Sequence, residues 1–167
     1  SRGLGDVYKR QKEFSYIRAT TDLLDILIDP EGGDIVKATL LKHKDKLSET
    51  GKPIVLLDNT SDKLYIARSG IIGRNATDTV GGRPIFTSRY QRYSLTDGSS
   101  SMDVDLFYSD GKVDFVKRFT FNESSYHVDV TYLIKNNSTE MWNGVFYGQL
   151  KRDSKVPDIN EGRFGPA

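Results

Sequence analysis

His43 and His127 are the only imidazoles in a chain of 167 residues, and the chain has no cysteine. A zinc or iron site needs several nitrogen, sulfur or carboxylate ligands converging on one point, and neither H-x-H nor H-E-x-x-H spacing occurs. No metal site is expected. The missing cysteines also remove disulfides, thiolate ligands and thiol nucleophiles. His127 stands beside Asp129 and faces away from Tyr126 and Val128, so a solvated or hydrogen-bonded structural role is expected for both histidines. A hydrolytic serine would need an oriented base and, in one common form, a G-x-S-x-G elbow; no such elbow is present. Ser99, Ser100 and Ser101 follow Asp97-Gly98 and read as turn material. Asp103 and Asp105 share one strand face and could do acid–base work or hold calcium, although exposed polar sheet faces commonly carry such pairs. Gly51-Lys52 and Gly111-Lys112 run into Pro53 and Val113, and Gly81-Gly82 into Arg83-Pro84, so no phosphate-binding loop is formed. These residues nominate no catalytic, cofactor-binding or metal-binding group.

The charge balance narrows the partners. Lysine and arginine number 24 against 23 acidic residues, for a net charge of +1. A nucleic-acid binder concentrates positive charge to neutralise phosphates, and no such excess exists here. Apolar residues make up 37% and charged residues 28%, which fits a packed globular domain. The longest aliphatic run, Ile54-Val55-Leu56-Leu57, is far short of the roughly 20 residues that a spanning helix needs. Five of seven asparagines begin N-x-S/T, but these residue types favour turns in any case. Residues 1–11 show no periodicity and read as a foreign linker or a frayed terminus. The domain is expected over 12–154, with an irregular tail over 155–167.

What would position any site is a set of strands. From Phe14 the apolar pattern has period two: Leu24, Ile26 and Ile28 share one face, while Asp25 and Asp29 point the other way. Pro30-Glu31-Gly32-Gly33 is a turn, followed by a strand over 34–44 and shorter ones over 54–58 and 64–67. Residues 69–83, with Gly70, Gly73, Gly81 and Gly82, predict a long loop, and long loops are often functional. Strands resume over 85–95. Met102, Val104, Leu106 and Tyr108 then alternate with Asp103 and Asp105, and Asp110-Gly111 is a strong hairpin signal. The returning strand carries Val113, Phe115, Phe119 and Phe121, with Lys117 interrupting its face. Tyr126, Val128, Val130, Tyr132 and Ile134 mark the next strand, and 142–151 the last. This rhythm predicts an antiparallel β-sandwich or barrel.

One ordered set of segments is more specific. Residues 16–29, reading YIRATTDLLDILID, continue through the Gly32-Gly33 turn to Ala38-Thr39-Leu40-Leu41. Then come Leu56-Leu57-Asp58, the run from Tyr65 to Ile71, a glycine-rich loop ending at Arg83-Pro84, the strands around Phe119 and Val130, and Tyr147-Gly148-Gln149-Leu150-Lys151. This series, spanning roughly 14–152, resembles the large periplasmic domain of bacterial YidC-type membrane protein insertases. The resemblance implies an all-β, antiparallel β-supersandwich related to galactose-mutarotase-like folds, truncated near Ala167. It also implies a place on the periplasmic side of the bacterial inner membrane, within a multi-pass parent protein. Family members insert and help fold inner-membrane proteins, alone or beside the Sec translocon; the insertion chemistry belongs to a helical bundle that nothing here matches.

A non-enzymatic scaffold, partner-docking or chaperone-like domain is therefore the expected reading, with Sec translocon components and nascent membrane proteins as partners. It implies no cofactor, nucleic acid or small-molecule substrate. A mutarotase-like enzyme is the first alternative and would have to use His43, His127 and a carboxylate such as Glu123 or Glu140. A carbohydrate-binding module is the second, with Tyr90, Tyr93 or Trp142 as aromatic platforms, although such residues more often pack across strands.

Overall fold

The computed structural model describes residues 15–44, 51–59 and 64–152. The leader over 1–11, Phe14, the stretch 45–50 and the tail over 155–167 lie outside the described residues, as do the domain limits at 12 and 154. Every named element is a β-strand: β1 (Ile17–Thr20), β2 (Leu24–Asp29), β3 (Asp34–Lys44), β4 (Pro53–Asn59), β5 (Leu64–Ile72), β6 (Thr87–Ser88), β7 (Arg92–Ser94), β8 (Ser101–Ser109), β9 (Val113–Asn122), β10 (Val128–Asn136) and β11 (Val145–Arg152). They form a seven-stranded sheet, in the order β11-β5-β4-β3-β2-β1-β7, and a four-stranded sheet, β10-β9-β8-β6.

Alternation drives the packing. Leu24, Ile26 and Ile28 of β2 are buried, as are Val104 and Leu106 of β8, because successive strand side chains point to opposite faces. Phe119 and Phe121 of β9 meet Ile17, Ala19 and the β2 residues in one core between the two sheets. The Asp110-Gly111 hairpin forms as expected: Asp110 Oδ1 accepts the amides of Lys112 (2.8 Å) and Val113 (2.7 Å), and Gly111 takes φ +90°.

Three expectations need correction. The strand that begins at Leu64 runs on through Ser69 to Ile72, because β11 pairs with it from Arg152↔Tyr65 to Val145↔Ile72. The supposed loop over 69–83 thus begins as sheet. The stretch 85–95 is not one strand but two: β6 pairs with β8, and β7 runs parallel to β1, the one parallel pairing between the strands described. Asp29 is buried, and its carboxylate accepts the Glu31 amide at 2.9 Å. The last strand starts at Val145; Trp142 sits before it and packs edge-on against Phe115, 5.7 Å between ring centres.

Candidate functional site

The residues singled out by type do not converge. His43 lies on the exposed end of β3, its ring 5.4 Å from Tyr126. His127 is exposed too, with Nε2 3.5 Å from Asp129. Asp103 and Asp105 do share a face, but it belongs to Arg118 of the neighbouring strand: Arg118 donates to both Asp105 oxygens at 2.8 Å, and Thr120 donates to Asp103 at 2.7 Å. This is cross-strand pairing. Tyr93 shares a hydrogen bond with Ser88 (2.7 Å) and meets Tyr90 edge-on at 5.7 Å, while Trp142 donates to the Asn75 carbonyl at 2.8 Å. Glu140 lies near Trp142 beside a surface hollow, with the Asn136 side chain donating to its carbonyl at 2.7 Å. Among the described residues no group of three or more histidines and carboxylates could hold a metal ion.

A buried ionic cluster lies elsewhere, at the junction of the two sheets. Lys117 occupies an inward position of β9, flanked by Phe115 and Phe119, and is 0% exposed. Its stem passes the Cα of Gly33, where a Cβ would stand 2.9 Å from Lys117 Cδ. Its Nζ donates to the carbonyls of Gly32 (3.0 Å) and Ser69 (2.9 Å), and lies about 5.5 Å from the centres of the Phe119 and Tyr132 rings.

Arg83 arrives from the end of the 73–86 connection. It donates to Ser69 O at 2.9 Å and Gly32 O at 3.4 Å, pairs with Asp78 at 3.1 Å, and hydrogen-bonds Asp34. Burial pulls the Arg83 guanidinium down, but the Asp34 bond and the two carboxylate charges raise it above its ordinary value. Arg68 Nε makes an ion contact with Asp34 at 3.3 Å without hydrogen-bond alignment. The Tyr147 hydroxyl donates to Asp78. Burial raises both Tyr147 and Tyr132, keeping them neutral phenols. One signal was available in the sequence: a lysine at an inward position of an otherwise phenylalanine-lined strand must find polar partners or break the sheet.

Beside the cluster, an apolar cleft of about 400 Å³ opens between the sheets. Phe119, Val128, Val130, Phe146 and Leu150 line it, with Arg68 at its polar side. The margins are β10, the edge of one sheet, and β11, the edge of the other, which touch through Tyr132 and Phe146 at 5.8 Å. Val145, Phe146 and Leu150 are 55–65% exposed, and Leu133 and Ile134 are exposed on β10. Tyr126, which heads the apolar face of this strand in the sequence, precedes β10 and is also exposed.

The family model for the YidC periplasmic domain matches residues 16–165. A membrane protein insertase YidC of Azotobacter vinelandii is 45% identical over 152 residues, covering 90% of this chain and 27% of that protein. Its counterpart in Cellvibrio japonicus is 44% identical over 139 residues, covering 83% and 25%, and one in Pseudomonas fluorescens is 42% identical over 152. The chain spans about a quarter of the length of the curated relatives it matches.

Proposed function

The chain belongs to the YidC periplasmic domain family, and from that premise we propose that it is the periplasmic, non-catalytic part of an inner-membrane insertase. In this reading it helps membrane proteins insert and fold, alone or beside the Sec translocon, by docking protein rather than by chemistry. The observation that supports it is the open apolar margin. Phe146 and Leu150 stand more than half exposed beside a cleft walled by Val128 and Val130, flanked by β10 and β11, which are edge strands among the described residues. Apolar patches of this kind on a soluble domain mark protein contacts, and a sheet edge can take an added strand.

The test is to replace Phe146 and Leu150 with aspartate in the full-length insertase. A several-fold loss of client insertion, or of co-purifying protein partners, with the insertase still at its normal level, supports the reading. Unchanged insertion and unchanged partners would defeat it.

A further inference from the structure

We propose that Lys117, set with Arg83, Arg68, Asp34 and Asp78 where the two sheets meet, is a proton-operated clasp: the seam is tight when the amine is neutral and loosens when it is protonated.

The geometry supplies the reason. Three basic side chains face two carboxylates, and both carboxylates are already held by the arginines and Tyr147: Arg83 on Asp34 and Asp78, Arg68 on Asp34. Among the described residues Lys117 makes no ion pair; its acceptors are the carbonyls of Gly32 and Ser69. A neutral amine has two N–H groups, enough for both carbonyls, so losing the proton costs the junction no hydrogen bond. Gaining it places a third positive charge on a side chain that itself has no exposed surface. The groups around it come from every packed element: Asp34 of β3, Arg68 of β5, Asp78 and Arg83 of the 73–86 connection, Tyr132 of β10 and Tyr147 of β11, with apolar Leu106 opposite on β8. Burial pushes the Lys117 ammonium down from 10.5 to about 7; Asp34 and Asp78 pull it up, and Arg83 adds to the fall.

The sign of the effect follows. Between about pH 7 and 10.5 the open or unfolded state binds the proton and the closed state does not, so stability rises with pH across this window. Below pH 7 both states carry the proton and the dependence flattens. The carbonyls held by Lys117 belong to the β2–β3 turn and to β5, whereas Lys117 belongs to the other sheet. Loosening therefore acts between sheets, next to the apolar cleft lined by Ser69 and Phe119.

The experiment is amide hydrogen exchange of the full chain between pH 6 and 9, corrected for intrinsic exchange, read at β5 and β9. Opening is expected to become about tenfold more frequent per unit between pH 9 and 7.5, and to level off below 7. Lys117→Met should remove the dependence. A pH-independent seam, or the same dependence in Lys117→Met, overturns the proposal. If that variant does not fold, the side-chain NMR titration of Lys117 in the unaltered chain decides: a midpoint near 7 sustains the clasp, and one near 10 overturns it.

Discussion

Lys117 and Arg83 reach the same two carbonyl oxygens from opposite sheets, Gly32 O and Ser69 O, at distances between 2.9 and 3.4 Å. Lys117 stands on β9 of the four-stranded sheet, and Arg83 closes the connection that leaves β5 of the seven-stranded one. A carbonyl has two lone pairs, so both donors can be accommodated. The consequence is that one turn, one strand and one loop are fixed by a single set of polar contacts inside an apolar junction.

Arg83 is the member whose loss is most costly. Its guanidinium is 14% exposed and serves Asp34, Asp78 and both carbonyls. Arg83→Met leaves two carboxylates without their principal partner, and removing one side of a buried pair costs about 3 kcal/mol or more. Urea unfolding should show a lower midpoint with an unchanged slope. Arg83→Lys should recover little of the loss, because a point charge cannot span acceptors that the planar fork reaches together.

Gly33 is where the lysine stem passes the turn. With φ +64° and a would-be Cβ 2.9 Å from Lys117 Cδ, Gly33→Ala meets both backbone strain and a clash. Gly98 has φ +90° but nothing within 4 Å of the added methyl, so Gly98→Ala isolates the strain alone, about 1–2 kcal/mol. Thermal unfolding should show Gly33→Ala the more damaging of the two by a further 1–3 kcal/mol, roughly.

The outer face of β8 and β9 behaves differently. Arg118 bonds Asp105 in a bidentate pair, and the hydrogen bond and charge of Asp105 raise the guanidinium above its ordinary value. The pair is on the solvent side, where such contacts are worth little and are screened by salt. Arg118→Ala is expected to shift the unfolding midpoint only slightly, and less still at 1 M salt. A loss matching that of Arg83→Met would show that this face contributes to the fold in a way its exposure does not suggest.

Much of this architecture is legible in the sequence. β3 runs over 34–44 as its pattern predicts, and the Asp110-Gly111 turn, the alternation of β8 and the inward phenylalanines of β9 follow from period two and turn chemistry. The ordered segments that resemble the YidC periplasmic domain led to the family that the comparisons then gave. The ionic cluster was not legible. Asp34, Arg68, Asp78, Arg83, Lys117 and Tyr147 are scattered from position 34 to position 147 of the sequence, and only long-range pairing brings them together. The continuation of β5 was hidden for the same reason: Ser69-Gly70 has poor strand propensity, and its partner β11 lies some eighty residues away. Lys117 looked like an interruption because a local pattern shows which face a residue takes, not what waits there.

The most direct test of the central claim places a photoreactive phenylalanine analogue at position 146 of the full-length insertase and irradiates it in cells. The account predicts adducts with a second polypeptide, a nascent membrane protein or a component of the Sec translocon, that vanish when the analogue is moved to position 131 on the outer face of β10. Adducts confined to the insertase's own chain, or none at all, would contradict it, since the apolar margin would then be covered from within and offer no docking surface.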